Sequence, residues 1–86
     1  MKLLVTDYDN TLELHYDFTD NKNILKRNII ALNKFMQNNI VCIATGRHFN
    51  AIHETLIENN IKFNYLCANN GAELYNENYN LLFVYQ

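Results

Sequence analysis

Short runs of strand-forming residues alternate along this chain with segments whose apolar residues recur at helical spacing. The first two runs are residues 2–6 and 40–45, and each stops abruptly at a polar residue or a glycine. Between them, apolar residues three and four positions apart predict a helix over about residues 23–37, after a polar cluster at 19–21 suited to capping its start. The chain therefore begins with a strand, a helix and a second strand.

The same alternation continues to the end of the chain. A second apolar stripe predicts a helix that starts directly after Gly46-Arg47 and ends at residues 59–60, and residues 63–68 form a third strand-like run. Two further runs flank a polar segment, which predicts a β-hairpin over about residues 72–85. Because strands joined through helices run parallel with right-handed crossovers, this order predicts an α/β fold with a Rossmann-like parallel sheet.

The two crossovers also predict which faces of the sheet are covered. If the strands lie in the order three, two, one, both helices pack on the same face, since each crossover moves in the same direction with the same hand. Leu3 and Val5 then point away from Leu4, and Cys42 away from Val41, so both faces are apolar. We expect an uncovered apolar face and an open edge at strand one, covered by further chain or by a partner.

Size and charge exclude several classes of protein. The chain has 86 residues, which predicts one domain over residues 1–86. Seven basic against nine acidic residues give a net charge of -2, which offers no basic field for nucleic acid or an anionic membrane. No apolar run approaches the ~20 residues needed to cross a bilayer. We therefore expect a cytoplasmic protein, with Cys42 and Cys67 as buried free thiols.

Two carboxylates spaced two apart follow the first predicted strand. Asp7 and Asp9 stand where that strand ends, and open α/β sheets bind their ligands at the carboxyl ends of strands. Paired acids there could hold a divalent cation, or one could attack an electrophile while the other transfers a proton. A solvated loop would have the same residues, so the spacing alone leaves both interpretations open.

Polar residues also follow the second and third predicted strands. Thr45-Gly46-Arg47 combines a hydroxyl, a backbone turn and a helix start, a combination that favours an anion, and Arg47 could add a bidentate grip on phosphate. Asn69-Asn70-Gly71 follows the third strand and is by itself a turn signal. Because parallel strands end at one edge, these residues are expected to face the same crevice as the two aspartates.

With these motifs, the chain resembles the haloacid dehalogenase-like (HAD) hydrolase superfamily, and within it the Cof-type, sugar-phosphatase-like group. Three segments carry the resemblance, in the family's order and approximate spacing: KLLVTDYDNTL, IATGR and CANNGAEL. The resemblance implies a Mg²⁺-dependent phosphohydrolase that acts on small phosphorylated metabolites through an aspartyl-phosphate.

The resemblance also implies roles for individual residues. Asp7 would be the nucleophile, and Asp9 would protonate the leaving group and then activate water. Mg²⁺ would be held by the Asp7 side chain and the Asp9 backbone carbonyl. The residues expected to bind or flank the phosphate are Thr11, Thr45, Gly46, Arg47 and Asn70.

The chain departs from the family pattern in two places. Asn10 stands where the family most often has glycine, a tolerable change because asparagine also accepts left-handed backbone angles. Family members of this type continue through a cap domain, a lysine motif and an acidic GDxxxD-like motif, whereas here Lys62 is the last lysine and Asp20 the last aspartate. We therefore expect only the amino-terminal part of the family core, without the cap domain and the second half of the core.

Other functions remain open beside the phosphohydrolase. A truncated, non-catalytic domain could serve as a binding or assembly module, through self-association or a complementing chain on the uncovered sheet face. A receiver-like phosphoacceptor is a weaker alternative, because receivers take phosphate on an aspartate after strand three, where this chain has Asn69 and Asn70.

Overall fold

The computed structural model describes residues 1–15 and 21–85 and contains a sheet with two helices. The helices are amphipathic, and the strands coincide with the apolar runs of the sequence. The elements, in chain order, are β1 (Leu3–Asp7), α1 (Asn21–Met36), β2 (Ile40–Ala44), α2 (Phe49–Glu58), β3 (Tyr65–Ala68), β4 (Glu73–Asn76) and β5 (Leu81–Val84).

The sheet has five strands in the order β1-β2-β3-β4-β5. β1 pairs parallel with β2, and β2 pairs parallel with β3, so the predicted order of the parallel strands is confirmed and β1 lies at an edge. The β4–β5 hairpin is antiparallel and adds to β3, extending the same sheet on that side. The sequence predicted the hairpin but not where it pairs.

Both helices pack on one face of the sheet and bury a single core. α1 contributes Leu25 and Leu32, and α2 contributes Ile52 and Leu56. The strand residues that face the helices are fully buried, and burial of each Val, Ile or Leu side chain among them stabilises the fold by about 1.5–3 kcal/mol. These strand residues are Val41, Ile43, Leu66 and Ala68.

The helix boundaries differ slightly from the sequence prediction. α1 begins at Asn21 and ends at Met36, and two residues of the predicted cap, Thr19 and Asp20, lie outside the described residues. α2 begins only at Phe49, after an extended His48 at its N-cap. This start lies within one residue of the prediction, and the Arg47 carbonyl just before it accepts a hydrogen bond from Asn69 N–H (2.7 Å), which ties this segment to the loop after β3.

The opposite face, which we call the open face, is uncovered by any described residue. Leu3 is 63% exposed, Val5 58% and Phe83 55%, so the expectation of an exposed apolar face is confirmed for the described part of the chain. Cys42 and Cys67 belong to this face and are free thiols, but they are only half-buried. The expectation that they are buried was wrong, because the helices cover the other side.

Within residues 1–15 and 21–85, neither helix is long and apolar enough to cross a membrane.

Candidate active site

The end of β1 places Asp7 beside the start of the loop after β2. Asp7 is in register with Ala44, the last residue of β2, and its side chain is exposed. Two neighbouring clefts share Asp7, Thr45 and Gly46 in their walls. One, of about 170 Å³, also includes Asp9, and the other, of about 360 Å³, also includes Asn70. The structure therefore gathers residues from three strand ends, as the sequence predicted.

The Asp7 carboxylate makes no hydrogen bond or ion pair with any described residue. Its backbone is fixed by the β1–β2 ladder, and its carbonyl accepts a hydrogen bond from the Thr6 hydroxyl (3.1 Å). An ionised carboxylate on a rigid strand end, with its oxygens uncommitted, is available to an electrophile or a cation.

The loop after Asp7 is folded around one carbonyl group. The carbonyl oxygen of Tyr8 accepts hydrogen bonds from the backbone N–H groups of Leu12 (2.9 Å) and Glu13 (3.2 Å). Asn10 has φ 59°, the left-handed conformation that the sequence allowed for it. Its side-chain oxygen accepts a hydrogen bond from the His15 backbone N–H (3.0 Å), so the loop returns His15 toward Asp9.

Asp9 is held by two cationic or hydrogen-bonding side chains. Nε of Arg47 donates to Oδ2 (2.9 Å), and Nη2 donates to Oδ1, which makes the pair bidentate. Nε2 of His15 lies 2.7 Å from Oδ1. Burial raises the pKa of Asp9, but the hydrogen bonds and charges of Arg47 and His15 outweigh it and lower the pKa below its ordinary value. Asp9 therefore rests as a carboxylate.

Arg47 is itself fixed by its surroundings. Its Nη1 donates to the Thr55 hydroxyl on α2 (3.1 Å), and its guanidinium lies 5.6 Å from the centre of the Tyr8 ring. The hydrogen bond to Asp9 raises the pKa of Arg47. The sequence suggested a bidentate grip on phosphate, whereas in this structure Arg47 makes its bidentate contact with Asp9.

The loop after β2 is joined to the loop after β3 at close range. The Thr45 carbonyl accepts a hydrogen bond from Asn70 N–H (3.2 Å), and the Thr45 N–H donates to the Cys67 carbonyl (2.9 Å). A Cβ on Gly46 would lie 2.8 Å from Oδ1 of Asn70, so the absence of a side chain permits this approach. Asn69 and Asn70 both have positive φ, which lets the chain turn sharply here.

Thr45 accepts a hydrogen bond at its hydroxyl oxygen from the Arg47 backbone N–H (3.1 Å). Because a hydroxyl also has one proton to donate, this contact leaves the Thr45 proton available to an anion in the cleft. Thr11 is placed differently: it is exposed, it lines neither cleft, and its carbonyl accepts a hydrogen bond from Asn28 on α1 (3.3 Å).

The donor set can be tested against Mg²⁺. Among the described residues, no group of three His, Cys, Asp or Glu side chains could hold a metal, and the Asp9 carboxylate is committed to Arg47 and His15. Mg²⁺, however, keeps several waters and binds proteins through one or two carboxylates together with substrate phosphates. The uncommitted Asp7 carboxylate and the Asp9 carbonyl fit such a lightly ligated hard cation.

Sequence reasoning missed two residues of this site, His15 and Thr55. Neither stands in a motif, because His15 is brought to Asp9 by the loop turn at Asn10, and Thr55 faces Arg47 through its position on α2. The signal in the sequence was the asparagine at position 10, a residue type that accepts the left-handed conformation with which the chain turns back there.

The fold and the site define an α/β protein with a paired-aspartate loop at the carboxyl edge of its parallel strands. The family model of haloacid dehalogenase-like hydrolases matches residues 4–86, and the chain belongs to this family. No curated protein matches it.

Two solved structures from Bacillus subtilis are similar. A haloacid dehalogenase-like hydrolase superposes with a TM-score of 0.74 at 25% identity, over 99% of this chain and 28% of that one. A second, yhjK, described as a haloacid dehalogenase-like hydrolase protein, gives a TM-score of 0.67 at 14% identity, over 87% of this chain and 28% of its own. The chain thus spans little more than a quarter of these relatives.

Proposed function

We propose that this chain carries the nucleophile and the acid/base group of a Mg²⁺-dependent phosphohydrolase of the Cof-type group, acting on small phosphorylated metabolites. One observation carries the proposal. An uncommitted carboxylate, Asp7, lies in the wall of two clefts beside a second carboxylate, Asp9, that is fixed by Arg47. One acid is free to attack, and the other is held in place to transfer a proton.

The proposed reaction has two displacements at phosphorus. An oxygen of Asp7 forms a bond to phosphorus while the bond to the leaving oxygen breaks. Because Asp9 rests as a carboxylate, it first takes a proton from solvent and then gives that proton to the leaving oxygen. A water molecule then attacks phosphorus, Asp9 takes the water proton, and the Asp7–phosphorus bond breaks. The lowered pKa of Asp9 favours the carboxylate form that the second displacement needs.

The remaining residues of the edge would orient the phosphoryl group. The Thr45 hydroxyl still has a proton to donate, and Gly46 lines both clefts without a side chain that would fill them. Mg²⁺, held by the Asp7 carboxylate and the Asp9 carbonyl, would neutralise charge as the carboxylate approaches a phosphate dianion. Asn70, in the wider cleft, would support the loop around Gly46.

The test is Mg²⁺-dependent release of phosphate from an aryl phosphate by the purified chain, with Asp7→Asn as the inactive variant. Glu54→Gln is the matched control, because it makes the same charge change on the exposed side of α2. We expect release from the wild type and the control and none from Asp7→Asn. Equal activity in Asp7→Asn would contradict the aspartyl-phosphate mechanism.

We propose a cytoplasmic protein with a small-molecule substrate and neither a nucleic-acid nor a membrane partner, supported by the net charge of -2. Because the chain covers 28% of the solved relatives, the substrate is proposed only as a class. A complementing chain would add the lysine and acidic motifs of the family, and a rise in activity on mixing with such a chain would support this.

A second candidate function is an assembly module that pairs two copies of the chain through the open face. The observation that favours it is the row of exposed apolar residues on that face, including Leu3, Val5 and Phe83. Because a two-fold axis brings the same patch of each copy together, two copies could bury this apolar row against itself. Sedimentation should show a dimer that Val5→Asp dissociates, and a strictly monomeric wild type would exclude it.

A further inference from the structure

His15 contacts the carboxylate that the proposed function uses as acid and base, and nothing in the motifs of the chain anticipates this contact. Its Nε2 lies 2.7 Å from Oδ1 of Asp9, within the range of a charge-assisted hydrogen bond. Both side chains are partly exposed, at 43% for His15 and 35% for Asp9, and Asp9 lines the narrow cleft.

The position of His15 is built into the loop rather than into the side chain alone. The His15 backbone N–H donates to Oδ1 of Asn10, and the left-handed conformation of Asn10 turns the chain back at that point. The Asn10 N–H in turn donates to the Glu13 carbonyl (2.7 Å). The His15 imidazole therefore contacts Asp9 from the hydrogen-bonded loop that follows β1, whereas Arg47 contacts it from the loop after β2.

The hydrogen bonds around Asp9 differ between its two oxygens. A carboxylate offers about four lone-pair sites, two on each oxygen. Oδ1 accepts from Nη2 of Arg47 and from Nε2 of His15, so both of its sites are used. Oδ2 accepts from Nε of Arg47 alone among the described residues, so one of its sites stays open. Without His15, the two oxygens would be equivalent in number of partners.

We propose that His15 is a positioning residue for Asp9, which fills Oδ1 and thereby makes Oδ2 the oxygen that gives and takes the proton. The proposal rests on the proposed function, since it assigns a role to Asp9 as acid and base. It predicts that loss of the imidazole harms proton transfer to the leaving group, whereas binding of the phosphoryl group is unaffected.

The kinetic test compares two aryl phosphates with different need for a proton. 4-Nitrophenolate leaves readily without protonation, whereas phenolate depends on the general acid. For His15→Ala we expect kcat on phenyl phosphate to fall about 10-fold, part of the 10²–10⁴ that a general acid contributes, with little change on 4-nitrophenyl phosphate. KM should stay within about twofold, because substrate binding is untouched.

Two variants make the kinetic result specific. His15→Gln retains a side-chain N–H donor and should recover most of the lost rate. His48→Ala deletes an exposed histidine whose side chain does not cap α2, and it should behave as the wild type. An equal fall on both substrates, or no rescue by glutamine, would overturn the positioning role while the Asp7→Asn result still supports the proposed function.

A spectroscopic test on the unmodified chain does not depend on activity. Nitrogen NMR of the histidine rings should show a proton on Nε2 of His15, because the carboxylate oxygen 2.7 Å away can only accept a hydrogen bond. The Nε2 signal should move in Asp9→Ala and stay in place in Asp7→Ala, a change of the same kind two residues away. An unprotonated Nε2 in the wild type, or a signal indifferent to Asp9→Ala, would overturn the proposal.

Discussion

The two faces of the sheet have similar apolar side chains but very different surroundings. On β2, Val41 and Ile43 face the helices and are fully buried. On β1, Leu3 and Val5 point to the open face and are more than half exposed. An apolar alternation in a strand therefore indicates only that a face can be buried, and the crossovers determine which face a helix covers.

The two aspartates at the carboxyl edge of the sheet, where β1 ends, differ in the same way as the two faces. Asp7 follows Leu3 and Val5 on the open face, and its carboxylate has no partner among the described residues. Asp9 lies two residues further on and is paired with Arg47, whose guanidinium is bound to α2 through Thr55. The exposed acid is the one free to react, and the acid tied to the helical side is the one held in position.

The largest expected effect on stability comes from placing a charge on the buried face of the sheet, compared with the same charge on the open face. Ile43→Asp buries an unpaired carboxylate, which costs on the order of 5 kcal/mol or more, comparable to the whole stability of a small domain. We expect this variant to be unfolded by circular dichroism, and Val5→Asp, on the open face, to stay folded. Unfolding of both variants would show that the open face is covered in solution.

A smaller effect is expected from truncations of neighbouring residues on β3. Leu66 is fully buried, and Leu66→Ala should lower the free energy of unfolding by about 2–5 kcal/mol. Tyr65 is 39% exposed on the other face, and Tyr65→Ala should cost about 1 kcal/mol or less. Urea unfolding measures both, and similar costs would contradict the asymmetry of the faces.

Asp9, which is paired with Arg47, should make the free energy of unfolding depend on pH. The pKa of Asp9 is lowered from 3.8 in the folded state, so its stabilisation is present above that ordinary value and is lost as pH falls through the folded pKa. The fall in urea midpoint between pH 5 and about 3 should be smaller in Asp9→Asn than in the wild type. Asp7→Asn, which removes a carboxylate without a partner in the described part of the chain, should retain the wild-type fall.

The smallest effect on stability is expected at Gly46, an exposed residue that lies close to the Asn70 side chain. Gly46 is exposed, but a Cβ there would lie 2.8 Å from Oδ1 of Asn70. Because that atom ends a short side chain that can rotate away, Gly46→Ala should cost about 1 kcal/mol or less. Asn70→Ala should remove the cost in a double-mutant cycle, and additive effects would show that the contact is unimportant.

Much of the fold was predictable because it depends on local patterns. The three parallel strands and two amphipathic helices follow from residue spacing, and the order of the parallel strands follows from the hand of the crossovers. The pairing of the hairpin with β3 was not predictable, since an antiparallel hairpin could have packed elsewhere. The start of α2 was predictable to within one residue from the apolar stripe that begins at Phe49.

The sequence predicted which residues form the candidate site better than it predicted which residues they contact. Asp7, Asp9, Thr45 and Gly46 meet at one cleft because parallel strands end at one edge. The partner of Arg47 could not be read from the sequence, because a guanidinium grips a carboxylate as well as a phosphate. Thr11 shows the converse case, since its place in a motif did not bring it to the cleft.

The sequence by itself determined the class of fold, the family and the two aspartates, because strand and helix periodicity and the DxD spacing are local properties of the chain. Only the tertiary structure decided that, among residues 1–15 and 21–85, Asp7 has no side-chain partner while Asp9 is bound by Arg47 and His15, and that one apolar face is buried while the other is exposed. Those outcomes depend on contacts between residues far apart in the chain, which no short pattern specifies.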